Sequence, residues 1–76
     1  MKEVLEIIAK ALVDNPDAVN ITEVNNEDDT ITLELRVAEG DMGKVIGKQG
    51  RIAKALRTVV KAAASRENKK VSVDIV

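Results

Sequence analysis

The stretch Ile46-Gly47-Lys48-Gln49-Gly50-Arg51 constrains this chain more than any other. Two glycines bracket a Lys-Gln pair, with an aliphatic residue before and an arginine after. Helix-forming residues follow without a break from Ile52 to Ala64. The pattern predicts a tight loop that feeds directly into a helix. Glycine lacks a Cβ, so its backbone reaches positive φ and can approach a neighbour closely. The helix that follows aims unpaired N–H groups and the positive end of its dipole back at the loop. Lys48 and Arg51 add full charges at the same place. Two readings follow: a plain turn between helices, the commoner use of such glycines, or a cradle for a sugar-phosphate backbone.

The distribution of charge favours the cradle, although the total conceals it. The formal net charge is −1, from 12 basic and 13 acidic residues. Positions 1–41 hold three basic and eleven acidic residues, for −8. Positions 42–70 hold nine basic residues and one acid, Glu67, for +8, and 71–76 add Asp74. A ligand feels the local field and not the average, so the second half suits a polyanion despite a pI near 5.4. The plainer alternative is a solvated helix face.

Other classes are restricted by what is missing. The chain has no His and no Cys, which removes the commonest nucleophile, general base and transition-metal ligands. Ser65 and Ser72 have no evident base, so the expectation is a protein that is not an enzyme and needs no cofactor. With no Phe, Tyr or Trp it cannot stack bases on an aromatic platform. No apolar run reaches the length of a membrane span, and Met1-Lys2-Glu3-Val4 does not open a signal peptide. A cytoplasmic location is expected. The Gly-x-x-Gly spacing lacks the four-residue spacer and Lys-Ser/Thr of a P-loop, and the extra glycine of a dinucleotide fingerprint. Glu27-Asp28-Asp29 has no cation-ligand spacing and reads as a solvated turn.

Hydrophobic periodicity gives the elements. Lys2 to Val13 is amphipathic at helical spacing and is stopped by Asp14-Asn15-Pro16-Asp17. Val19 to Val24 reads as a strand with imperfect alternation. Thr30 to Val37 is the clearest strand, with Ile31, Leu33, Leu35 and Val37 on one face. The two are expected to pair as an antiparallel hairpin. Asp41 reads as the N-cap of a short helix over Met42 to Ile46. The long basic helix runs to about Ser65, with Ile52, Leu56, Val59, Val60 and Ala63 as its apolar stripe and Ala55 beside them. Val71, Val73 and Ile75 alternate in a final strand. The order α-β-β-α-α-β predicts one small α+β domain over 1–76, a three-stranded sheet with helices on one face.

That order, with Gly-x-x-Gly between the last two helices, resembles a K-homology (KH) domain in its type II, bacterial arrangement. It is most similar to the small stand-alone KH proteins of the KhpA family. The phrases Leu12-Val13-Asp14-Asn15-Pro16-Asp17, Val45-Ile46-Gly47-Lys48-Gln49-Gly50-Arg51 and Ala55-Leu56-Arg57-Thr58-Val59-Val60-Lys61-Ala62 carry the likeness. The resemblance implies a clamp on the backbone of about four unpaired nucleotides of single-stranded RNA. Gly47 and Gly50 would admit the phosphates, with Lys48 and Gln49 projecting to the strand. Ile46, Ile52 and Val45 would floor the groove, Lys44, Arg51, Lys54 and Arg57 would form its basic rim, and the Val71–Val76 edge would read bases. It also implies RNA-chaperone or regulatory roles, and a homodimer or a pairing with a larger KH-containing partner of the KhpB (Jag) type.

Such a clamp has a salt signature: a log–log slope of roughly −2 to −3 for about three or four neutralised phosphates. Replacing both Gly47 and Gly50 by Asp is expected to abolish binding without unfolding. The rival reading is a protein–protein scaffold that uses the face bearing Val59, Ala62 and Ala63, or an open strand edge. Gly43 suits either close helix packing or close ligand approach. Lys69-Lys70 either extends the basic surface or keeps a sheet edge soluble.

Overall fold

The computed structural model describes residues 2–76; Met1, part of the expected domain span, lies outside them. Helix α1 covers Lys2–Leu12, strand β1 Asn20–Asn25, β2 Thr30–Arg36, helix α2 Met42–Ile46, α3 Arg51–Arg66 and β3 Lys70–Ile75. The expected element order and the hairpin are both present. Single 3-10 turns at Pro16–Ala18, Glu39–Asp41 and Lys48–Gly50 join them. Proline opens the first of these, where its fixed φ suits a first helical position and its missing N–H is not needed.

The sheet order is β1-β2-β3. β1 and β2 pair antiparallel, with Ile21 opposite Leu35 and Asn25 opposite Ile31. β3 pairs parallel to β2, with Ile31 beside Val71 and Leu35 beside Ile75. Parallel neighbours need a crossover, and α2 and α3 supply it. Alternation then does the sorting. Leu33, Leu35, Val71 and Val73 turn inward and are buried, while Thr32, Ser72 and Asp74 lie on the face away from the helices. On that face Thr32 Oγ1 and Ser72 Oγ are 3.3 Å apart, and Asn26 Nδ2 donates to both Thr30 and Thr32.

The core brings Leu5 and Ala9 of α1, Val45 of α2, and Leu56, Val60 and Ala64 of α3 onto the inner face of the sheet. The apolar stripe of α3 is rotated from the expected one. Ala53, Leu56, Val60 and Ala64 are its buried residues, whereas Val59 is 45% exposed and Ala55 is exposed. At 3.6 residues per turn Ala53, Leu56, Val60 and Ala64 fall within an arc of about 80°, and Val59 stands about 100° round from Val60. Small Ala64, which hydropathy alone undervalues, lies in the core shared with the sheet.

Asp41 also differs from expectation. It does not cap α2: its φ/ψ is helical and its side chain makes no cap hydrogen bond. The Glu39–Asp41 turn runs straight into α2, and the Asp41 N–H already donates to Ala38 O at 2.8 Å. The carboxylate is thereby released to reach across the fold. It accepts the backbone N–H of Asp14 at 3.2 Å and of Asn15 at 3.0 Å, tying the end of α1 to the start of α2.

Candidate nucleic-acid interface

The glycine loop hangs between α2 and α3. Gly47 N–H donates to Gly43 O at 2.8 Å, and Gly50 N–H to Gly47 O at 3.2 Å. Gly47 sits at φ 74°, ψ 175°, a region open essentially to glycine alone. Gly50, at φ 71°, ψ 17°, is left-handed. The two glycines have different surroundings. A Cβ built on Gly47 would lie 2.6 Å from Ile52 Cγ1, so the Ile52 side chain covers its Cα. A Cβ on Gly50 would meet open space. Asp at Gly50 meets the strain of a left-handed residue alone, whereas Asp at Gly47 adds a clash with Ile52, so the double replacement is expected to lower stability as well as binding.

Sequence reasoning also missed Gln49, which holds a left-handed φ of 57° between the glycines. An L-residue there costs roughly 1–2 kcal/mol. Three positive-φ residues within four positions turn the loop sharply, and Gly50 leads into α3 without a side-chain cap. The first amides of α3 thus face the loop with the positive end of the helix dipole behind them.

The charged residues divide into two groups. Lys48, Lys54 and Arg51 are exposed around the loop, and Arg51 Nη2 lies 3.4 Å from Gln49 Oε1. Lys44 is engaged elsewhere. It pairs with Asp14 and, at 3.5 Å, with Asp41, so much of its charge is neutralised inside the protein. Hydrogen bonding to Asp14 leads the influences that hold the Lys44 ammonium above its ordinary pKa. At Asp41, burial opposes ionisation. The Asp14 and Asn15 amides and Lys44 outweigh it and hold the carboxyl below its ordinary value. Lys44, expected on the rim, is in the structure a tie between α1 and α2.

Arg57 is exposed and keeps its full charge, with one of its five donors engaged. Its Nε–H donates to Val73 O of β3 at 3.1 Å. The Val76 N–H donates inward to Leu35 O, so by alternation the main chain of Val71, Val73 and Ile75 points off the open edge of the sheet. Arg57 occupies one of those acceptors. Ile46 and Ile52 are half-buried, and Val45 is fully buried in the core, not on the expected floor.

Residues 2–75 match the family model for the KhpA/KhpB KH domain. The chain belongs to that family. It is 67% identical to the RNA-binding protein KhpA of Clostridium perfringens over all 76 residues of both chains. It is 60% identical to the RNA-binding protein KhpA of Caldanaerobacter subterraneus, again over the full length of both. For the RNA-binding protein KhpA of Chlamydia trachomatis the identity is 53%, over 99% of this chain and 95% of the other. The Glu27–Asp29 segment is a self-contained turn: Asp28 Oδ1 accepts from the N–H and hydroxyl of Thr30 at 3.2 and 2.6 Å. Among the described residues no His, Cys, Asp and Glu side chains gather as a metal site, and no helix is long and apolar enough to cross a membrane.

Proposed function

We propose that this protein, acting as one domain over 1–76, binds single-stranded RNA without catalysis, as an RNA chaperone or post-transcriptional regulator in the cytoplasm. The observation that carries the reading is the Gly47–Gly50 loop. Its positive-φ backbone opens onto the α3 N-terminus, and Lys48, Arg51 and Lys54 stand exposed around it. Phosphates dock on the loop amides and on these cations, while bases lie against Ile46 and Ile52 beside the β3 edge. Contacts of this kind fix the backbone and carry little sequence information. The names of the relatives support the RNA-binding part of this reading.

One such site is small, and pairing two raises apparent affinity through effective concentration. The α3 residues Val59, Ala62 and half-buried Ala63, which line a shallow hollow with Arg66 and Glu67, offer a surface for a second copy or for a larger KH-containing partner of the KhpB type.

Fluorescence anisotropy of a labelled mixed-sequence RNA, titrated at two salt concentrations with wild type and with Gly50→Asp, tests the clamp. Salt-sensitive binding that is lost in the folded variant is the expected result. Binding indifferent to both salt and Gly50→Asp would remove the clamp and favour a protein–protein scaffold.

A further inference from the structure

A second basic hollow lies at the other end of α3. It encloses about 290 Å³ and is lined by Lys61, Ser65, Lys69, Lys70 and Val71. Three lysines and a serine are among its lining residues, and no carboxylate is. Among the described residues, Lys61, Lys69 and Lys70 enter no ion pair, and Asp28 feels Lys70 only as the weakest of its influences. Like charges so placed repel one another, and an anion relieves that repulsion.

The hollow is aligned with the clamp. Lys54, Arg57, Lys61 and Ser65 recur at spacings of three and four and so share one face of α3. Arg57 fixes that face over Val73 of β3. β3 returns antiparallel to α3, so Lys61 and Ser65 meet its beginning at Lys70 and Val71. The Val71 main chain there points off the sheet edge, as Val73 does. From Arg51 to Lys61 the helix advances about 15 Å, so the hollow stands well apart from the glycine loop.

We infer that the Lys61/Ser65/Lys69/Lys70 hollow is a second phosphate site, taking a phosphodiester of the same RNA strand beyond the nucleotides held at the glycine loop. The inference rests on the reading of that loop as a backbone clamp. The lysines neutralise the phosphodiester, and the Ser65 hydroxyl donates to one of its oxygens. The consequence is a footprint longer than the clamp, with added affinity that depends on RNA length and not on sequence.

The test titrates a tetranucleotide and a decanucleotide RNA of mixed sequence against wild type, Gly50→Asp and Lys61→Gln/Lys70→Gln, with circular dichroism to verify folding. Glutamine preserves helix propensity at position 61. Wild type is expected to bind the decanucleotide several-fold more tightly, with a salt slope steeper by about 0.7–1.4, as one or two further phosphates require. Lys61→Gln/Lys70→Gln should erase that gain and leave tetranucleotide binding unchanged, whereas Gly50→Asp should weaken both ligands. Equal losses for both RNAs in the lysine variant, or none, would overturn the second site while leaving the clamp intact. Wild type that binds neither RNA would remove both. Inorganic phosphate alone, followed by amide shifts at Lys61 and Lys70, separates the sources: a response to phosphate without a length-dependent gain would mark a free-anion site and overturn the inference.

Discussion

Replacing Gly47 by Ala should destabilise the protein far more than the same replacement at Gly50, although both glycines have positive φ. At Gly50 the new Cβ meets open space, so the cost is that of a left-handed L-residue, roughly 1–2 kcal/mol. At Gly47 two costs combine. The backbone at φ 74°, ψ 175° is the more forbidden region, worth about 1–3 kcal/mol. The methyl also lands 2.6 Å from Ile52 Cγ1 and 2.9 Å from its Cδ1, and overpacking of that kind costs about 1–3 kcal/mol. The total is about 2–6 kcal/mol. A domain of 76 residues has a stability of only about 4–11 kcal/mol, so Gly47→Ala approaches the limit of folding. The assay is urea denaturation followed by far-UV circular dichroism, because the chain has no aromatic residue to report by fluorescence. Ile52→Ala supplies an internal control. It removes Cγ1 and Cδ1, so in combination with Gly47→Ala it should recover part of the loss as a positive coupling. Equal destabilisation at the two glycines, or no coupling to Ile52, would refute the argument that Ile52 seals Gly47.

Four further outcomes are expected. Lys48→Ala should make the salt dependence of RNA binding shallower by about 0.7, one phosphate's share, whereas Lys44→Ala should leave the slope nearly unchanged and lower thermal stability, since its ammonium is held by Asp14 and Asp41. Stability should fall in acid through Asp41. Its folded carboxyl titrates below the unfolded one, so its contribution is complete above about pH 4 and is lost as pH drops through the folded value. Acid titrations should show Asp41→Asn flattening this limb, with a remainder from Asp28, whose carboxyl the Thr30 hydroxyl also holds low. Leu33→Ala, at a fully buried position of the central strand, should cost about 2–5 kcal/mol in urea denaturation. If the Val59 row joins two copies, Val59→Asp should yield a folded monomer in sedimentation at concentrations where wild type associates.

Much of this protein is written locally. The alternation of Ile31, Leu33, Leu35 and Val37, the helical spacing in α1 and the paired glycines each report a period or a backbone conformation that neighbouring residues determine among themselves. The element order followed from them, and so did the expectation of a basic loop at the head of α3. The sequence could not show which charges in that region are available. Lys44 and Arg57 look equivalent to Lys48 and Lys54 in the chain, yet Lys44 is paired with Asp14, 30 residues away, and Arg57 donates to the Val73 main chain. Asp41 carries a capping signature, but the turn before it supplies the helix start, and its carboxylate binds amides 26 and 27 residues distant. Val59, expected in the apolar stripe, is exposed and Ala53 is buried because burial depends on how α3 is rotated against the rest of the fold, not on hydropathy. Local propensity acts over a few bonds and is legible by eye. Long-range partners, the seal of Ile52 over Gly47 and the meeting of Lys61 with Lys70 exist only once the chain has closed on itself, so the tertiary structure alone decided them.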